Sequence, residues 1–371
     1  MNTKRVRMGL VGYGYWGPNV LRNFMELKGA DVRWVCDRDP QRLALAKTRF
    51  PSVVVTQDYQ DMLSDPEVDA VLITTPISTH YELARLALRA GKHVFVEKPM
   101  TASSVDARRL LEISRNAGLV LMVGHTFEYS PPVMKIKEII DSGELGDIYF
   151  VTSSRVNLGL HQKDVSVIWD LAPHDFSMLF YWMGEEPSHI SAFGRACLDG
   201  GNPDVAFVNI GFPSGAVAEM QLSWLSPIKL RRTMIVGSRK MLLYDDTESV
   251  EKVKVYDHGV TQSVEPSSFG EFQLSYRTGD VVSPHLATLE PLLAEAAEFV
   301  ECVRNGRTPR TDGLSGLRVV KALEQAEASL VLKDTIGPSE PEWSVPPRSS
   351  EPLYRSVRLE LAALTPDELG S

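Results

Sequence analysis

The apolar positions of the first third come in short continuous runs separated by amphipathic stretches. Val6–Val11, Val32–Cys36, Ala70–Ile73, His93–Val96 and Val120–Val123 are apolar throughout or nearly so. That is the pattern of strands buried on both faces. Between them the period lengthens. A helix is predicted to start near Gly17 and Pro18, and Asp39-Pro40 supplies an N-cap followed by proline at the first helical position. Leu83, Leu86, Ala87 and Ala90 recur at helical spacing until Gly91, and Ser103-x-x-Asp106 opens a further helix with a capping pattern. Strand and helix in alternation predict an α/β Rossmann domain, a doubly wound parallel sheet.

The pattern changes after Gly124. One helix (Val133, Ile136, Ile140) leads into longer segments, Ile148–Val156, Val205–Phe212, Ala216–Trp224 and Met234–Tyr244, which alternate or carry β-branched and aromatic residues. Pro213-Ser214-Gly215 reads as a hairpin turn. Two helices follow, marked by Leu292/Ala296/Phe299/Val303 and Val319/Leu323/Ala326/Leu330. The expected second domain is therefore α+β with a large, mostly antiparallel open sheet. The expected organisation is residues 1–124 for the Rossmann domain, 125–336 for the substrate and oligomerisation domain, and 337–371 for a Pro/Ser-rich tail.

Composition narrows the function classes. A chain of 371 residues suits two domains better than one core. With 39 Lys plus Arg against 48 Asp plus Glu, the net charge of −9 argues against broad nucleic-acid or anionic-membrane binding. No apolar stretch approaches the length of a bilayer span. The run behind Met1–Arg7 stops at Gly12 without a small-residue cleavage site, so it is read as a buried strand and not a signal peptide. Cys36, Cys197 and Cys302 lie far apart, which predicts neither a disulfide framework nor a zinc site and suits a reducing cytoplasm. No metal is expected.

Gly12, Tyr13, Gly14, Tyr15, Trp16 and Gly17 fit G-x-G-x-x-G between a predicted strand and a predicted helix, the context the motif requires. The glycines allow a tight turn, close approach of backbone to a pyrophosphate, and close helix–strand packing. The helix N-terminus adds free N–H groups for the phosphates. Asp37 stands at the spacing of a ribose-binding acid and favours NAD over NADP, although Arg38 beside it tolerates a 2′-phosphate. The same carboxylate also fits a turn cap, and a methyltransferase shares such a loop. Strand, loop, helix and acid in register favour the dinucleotide.

Two further places carry chemistry. Glu97-Lys98-Pro99 follows a strand whose carboxyl end faces the ligand crevice of a doubly wound sheet, so Lys98 is either a reactive lysine or a surface lysine before a turn. Asp170 and His174 share a helix face at i,i+4 if residues 170–183 are helical, and the carboxylate then orients the imidazole as a base. Two other readings stay open, a structural histidine or two metal ligands without partners, and Pro173 puts the helical spacing in question. Lys229, Arg231 and Arg232 form a basic cluster that fits either a diphosphate contact or a solvated strand.

The glycine loop, Thr74-Thr75-Pro76 with His80, Glu97-Lys98-Pro99 and Asp170…His174 together resemble the glucose–fructose oxidoreductase / inositol dehydrogenase / MocA family, from about Val6 to Leu332. The segments Gly12–Asn19, Arg155–Gly159, Ile168–Asp175 and Trp224–Asp246 are most similar to the branch acting on nucleotide-linked sugars. The resemblance implies Lys98 beside the nicotinamide and the reacting hydroxyl, and His174 as the proton carrier oriented by Asp170. It places Thr74, Thr75, Pro76, His80 and Glu97 around the cofactor and Arg155 and Asn157 toward the substrate; Lys229 and Arg231 join them as substrate contacts only on the diphosphate reading of the basic cluster. Where many relatives carry an Asn or Arg substrate contact, this chain has His125-Thr126-Phe127-Glu128-Tyr129.

The expected activity is hydride transfer between a sugar secondary hydroxyl, C3 of a nucleotide sugar such as UDP-N-acetylglucosamine, and NAD. The alternatives are a sugar 3-ketoreductase in secondary-metabolite or aminosugar biosynthesis, an NAD-dependent glycosidase on the same fold, and a non-catalytic dinucleotide-binding regulator. The open sheet further predicts a homodimer or homotetramer.

Overall fold

A computed structural model describes residues 5–159, 165–198, 201–262 and 274–334; the tail assigned to 337–371 lies outside them. The first half alternates as its apolar runs predict: β1 (Val6–Val11), α1 (Gly17–Glu26), β2 (Ala30–Cys36), α2 (Pro40–Arg49), β3 (Val54–Thr56), α3 (Tyr59–Ser64), β4 (Ala70–Ile73), α4 (Ile77–Arg89), β5 (His93–Glu97), α5 (Ser104–Ala117) and β6 (Leu121–Gly124). The six strands form a parallel sheet in the order β3-β2-β1-β4-β5-β6. Chain order reverses beside β1, and ligands of doubly wound sheets bind at that switch point, outside the carboxyl ends of the strands. The helix starts follow their local chemistry. Asp39 accepts from the Gln41 amide at 2.8 Å, with Pro40 opening α2, and Ser103 accepts from the Asp106 amide at 3.2 Å to open α5.

A 3-10 turn (Thr126–Tyr129) and α6 (Pro131–Asp141) lead to the second sheet. Its elements are β7 (Ile148–Leu158), α7 (Val167–Met183), β8 (His189–Arg195), β9 (Val205–Gly211), β10 (Val217–Ser223), β11 (Leu225–Gly237), β12 (Met241–Asp245), β13 (Val253–Gln262) and β14 (Leu274–Val282). The order is β14-β13-β12-β11-β7-β10-β9-β8, antiparallel except for the β7–β10 pair. One inner face buries Val151, Ala218, Met220 and Leu222 against Phe176, Leu179 and Trp182 of α7.

Two expectations need correction. Met234–Tyr244 is not one strand: it turns at Ser238–Lys240, where the Gly237 amide bonds the Lys240 carbonyl, and β11 and β12 pair back on each other. A side chain at Gly237 would run into the Leu145 carbonyl, so a glycine stands there for lack of space. The helix carrying Asp170 starts earlier than residue 170, at Val167, and continues through Pro173. The segments β3, β8, β13 and β14 are additional strands that the apolar pattern leaves unmarked.

The last helices, α8 (Pro291–Asn305) and α9 (Gly313–Asp334), return to the first sheet. Phe299 of α8 meets Phe24 of α1 and Phe95 of β5 edge-on, at centroid distances of 6.0 and 5.8 Å. Along α9, Leu317 and Val320 join the core under β5 and β6, while Val319, Leu323 and Ala326 join the core of the second sheet. One helix thus closes both cores.

Candidate active site

The glycine loop joins β1 to α1. Gly12 has φ +96°, and a Cβ there would lie 2.7 Å from Thr75 Cγ2; at Gly17 a Cβ would run into the Gly12 carbonyl. Gly14 is the open member, with nothing nearer to its Cβ position than Arg42 Nη1 at 3.6 Å. The turn is therefore closed underneath by two glycines and left open on its outer side by the third, a cradle that fits a pyrophosphate. Asp37, buried at the end of β2, accepts from the Tyr13 amide at 2.6 Å and the Asp39 amide at 2.9 Å. These bonds fix the carboxylate at the mouth of a groove of about 620 Å³ lined by Gly12, Gly14, Tyr15, Trp16, Asp37, Arg38, Thr74, Thr75 and Pro76. Tyr13 itself turns inward and is buried in the core of the first sheet, with Arg49 of α2 beside its hydroxyl.

A larger cleft of about 940 Å³ continues from that groove, sharing Tyr15, Trp16, Thr74 and Thr75 with it. Glu97, Lys98, Asp170, His174 and Arg231 line it, together with Thr126, Phe127 and Asp246. Three elements far apart in sequence thus deliver the expected chemical groups to one place. The end of β5 carries Glu97 and Lys98, and α7 carries Asp170 and His174. The long strand β11 carries Arg231.

The contacts within the cleft differ from the expected triad. Lys98 Nζ donates to the backbone carbonyl of Asp170 at 3.1 Å, and the Lys98–Pro99 peptide is cis. The Asp170 carboxylate accepts from the Trp224 indole at 3.0 Å. His174 sits edge-on to Phe127 at 4.9 Å, and its buried Nδ1 has no hydrogen-bond partner among the described residues. The i,i+4 spacing on α7 is real, but Trp224, where β10 passes into β11, holds the carboxylate that was expected to orient the imidazole. A hydrogen bond to the indole leaves Asp170 as a fixed acceptor beside Lys98.

Burial sets the protonation of the site. It pulls the Lys98 ammonium below the ordinary lysine range, with Asp170 and Glu97 opposing the shift and Arg155 adding to it. His174 is held well below the usual imidazole value, by burial first and then by the Lys98 and Arg155 charges, so the ring is neutral. Glu97 is pushed up to about 7 by burial, against the pull of Lys98. Glu295 on α8, which accepts from the Thr126 hydroxyl at 2.7 Å, is pushed well up by burial and by Glu97. His125 is driven down to about 3 by burial and Lys98, and neither ring nitrogen has a hydrogen-bond partner among the described residues. Sequence reasoning gave no role to Trp224 or Glu295, and named His125 only as a departure from a substrate contact of relatives. Only Glu295 leaves a signal, as a carboxylate on the same helical face as Leu292 and Phe299.

Other expected residues stand elsewhere. His80 is 1% exposed, wedged between the Thr75 and Pro99 carbonyls, and is not on the groove surface. Arg155 is buried in an ion pair with Asp175 and packs over Phe127 at 4.8 Å, behind the cleft lining. Asn157, half-buried near Gly159, lines neither space, and Lys229 is exposed outside both. Arg231 is paired with Asp246 at 3.4 Å, and Arg232 with Asp245 at 2.7 Å. Among the described residues no group of three or more His, Cys, Asp or Glu could hold a metal ion, and no helix is long and apolar enough to cross a membrane.

Comparison with known proteins agrees with this architecture. The myo-inositol 2-dehydrogenase of Thermotoga maritima is 27% identical over 90% of this chain and 100% of its own. The UDP-N-acetylglucosamine 3-dehydrogenase of Acidithiobacillus ferrooxidans is 27% identical over 88% and 97%. The structure of GenD2 from gentamicin A biosynthesis, in complex with NAD, superposes with a TM-score of 0.74 at 24% identity, over 88% of this chain and 95% of the other. Residues 6–125 match the family model described as an oxidoreductase family with an NAD-binding Rossmann fold, and residues 133–243 match the GFO/IDH/MocA C-terminal domain. The chain belongs to the GFO/IDH/MocA family of NAD-binding oxidoreductases.

Proposed function

We propose that the protein is a sugar dehydrogenase that oxidises a secondary ring hydroxyl, at C3 of a nucleotide-linked sugar, with NAD. The observation that carries this reading is the convergence of Lys98, Asp170 and His174 on a cleft continuous with the dinucleotide groove. NAD, when bound, supplies the hydride acceptor. His174, kept neutral by burial and by the charge of Lys98, is in the form that accepts the hydroxyl proton. The Lys98 ammonium, held against the Asp170 carbonyl, stabilises negative charge on the substrate oxygen. Asp170, fixed by Trp224, adds an acceptor to the cleft wall for a neighbouring hydroxyl. The UDP-N-acetylglucosamine 3-dehydrogenase relative supports the choice of sugar, and Arg231 on the cleft wall supports a phosphate-bearing carrier.

The test is absorbance of NADH formed from NAD across UDP- and dTDP-linked hexoses, free sugars, inositols and aminoglycosides. Turnover confined to one nucleotide sugar supports the reading. Turnover with a free polyol or aminoglycoside alone removes the nucleotide-sugar reading and leaves the dehydrogenase.

A second copy of the chain is the proposed partner. Phe150 and Val217 stand in register on β7 and β10, and with Met234, one step along on β11, they expose apolar side chains on the outer face of the second sheet. Light scattering on the eluting protein is expected to give a dimer or tetramer. A monomer at assay concentration would remove the partner.

A further inference from the structure

His80 is the one residue of the Thr74-Thr75-Pro76…His80 segment whose side chain lies wholly beneath the surface, and each of its ring nitrogens faces a backbone carbonyl. Nδ1 lies 2.9 Å from the Pro99 carbonyl and Nε2 lies 2.7 Å from the Thr75 carbonyl. Pro99 immediately follows Lys98. Thr75 lines both the dinucleotide groove and the cleft. One rigid ring therefore spans the backbone that carries the cleft lysine and the backbone that floors the cofactor groove. A buried carbonyl left without a donor is unfavourable, so the fold resists losing the ring from between these two.

We propose that His80 is a positioning residue for Lys98, tying the backbone of the lysine turn to the Thr75 floor so that the ammonium keeps its place against the Asp170 carbonyl. The neutral ring donates to one carbonyl, and the charged ring donates to both. Burial and the Lys98 charge favour the neutral ring, while the two carbonyls favour the cation. Lys98 is thus the neighbour whose charge bears on the clamp. The inference rests on the role proposed for Lys98 but not on the identity of the sugar.

The test separates the two bonds. An asparagine amide nitrogen falls near the imidazole Nδ1 position and a glutamine amide nitrogen near Nε2, so His80→Asn keeps the link to Pro99 and His80→Gln keeps the link to Thr75. The readout is the pH dependence of Lys98 acetylation by acetic anhydride, mapped by peptide mass on the full-length protein, beside NAD affinity by titration calorimetry. Glu97, Asp170, Arg155, His125 and His174 also act on Lys98, and all are retained in both variants.

In His80→Gln the Lys98 midpoint is expected to rise by about one pH unit toward that of an ordinary lysine, with NAD affinity within about threefold of the parent. In His80→Asn the midpoint is expected to stay and NAD affinity to weaken. Equal shifts in both variants, or none in either, would overturn the proposal, because a ring that merely fills space does not distinguish its two nitrogens. Each variant keeps one bond, so the comparison does not depend on the doubly cut His80→Phe folding. A silent sugar panel together with a moved Lys98 midpoint would remove the substrate reading and leave His80 in its role.

Discussion

Lys98 and His174 carry the reaction proposed for this cleft, and neither side chain holds the pyrophosphate cradle. Lys98→Ala and His174→Ala are each expected to lower kcat by at least about a hundredfold with whichever sugar turns over, the lower range for loss of a proton-transferring or charge-stabilising group. NAD affinity should stay near that of the parent in both. Near-normal rates in both variants would place the chemistry elsewhere in the cleft. The motif residues were legible because their spacing has a local cause: a glycine loop between strand and helix, a lysine past a strand end, an acid and an imidazole one helical turn apart. The partner of Asp170 was not legible. Trp224 is 54 residues away and meets it only because the β10–β11 corner packs against the start of α7.

At the scale of elements, the parallel strands were readable because both of their faces are buried, which leaves an unbroken apolar run. The strands that escaped notice are three of the four edges, β3, β8 and β14, together with β13 beside β14. An edge strand that faces solvent keeps a polar sequence, as in Leu274–Val282 with Arg277 and Asp280, whereas the edge strand β6 is buried along its length and keeps its apolar run. The helix starts were readable for a different reason, since a cap is a local hydrogen bond. At α5, Ser103 makes that bond to the Asp106 amide, but the Asp106 carboxylate turns to Arg109 at 3.1 Å, so only half of the capping box forms. Ser103→Ala therefore removes the N-cap side chain and leaves the Ser104 amide on the Glu324 carboxylate at 2.7 Å. It is expected to destabilise α5 by about 1 kcal/mol, seen as roughly fivefold faster hydrogen exchange of the Asp106 amide relative to the middle of the helix. Unchanged exchange would mean that packing alone holds the helix start.

For the whole molecule, buried titratable groups of two kinds oppose each other. His80, His93, His125 and His174 are all held below the ordinary imidazole value by burial. Below about pH 6.5 the unfolded chain takes up protons that these folded rings refuse, so acid destabilises the fold. Glu97, pushed to about 7, Glu128, pushed to about 8, and Glu295, pushed well up, behave in the reverse sense, each chiefly through burial.

Above about pH 6.5 the histidines no longer contribute a slope, whereas these carboxyls still hold protons that the unfolded chain has already lost. Each one that does so lowers stability by about 1.4 kcal/mol per pH unit until its folded pKa is passed. The thermal midpoint is therefore expected to peak near pH 6.5 and to fall toward pH 8. Glu128 isolates the effect, because it lies in the turn below the cleft and does not line it; the Arg310 charge opposes its upward shift. Glu128→Gln places a neutral side chain of the same shape there and should flatten the alkaline limb while leaving the acid limb unchanged. A midpoint that holds level or rises between pH 6.5 and 8 in the parent would mean that these carboxylates are ionised inside the fold. Charge buried around Lys98 would then be set by the carboxylates rather than by the lysine.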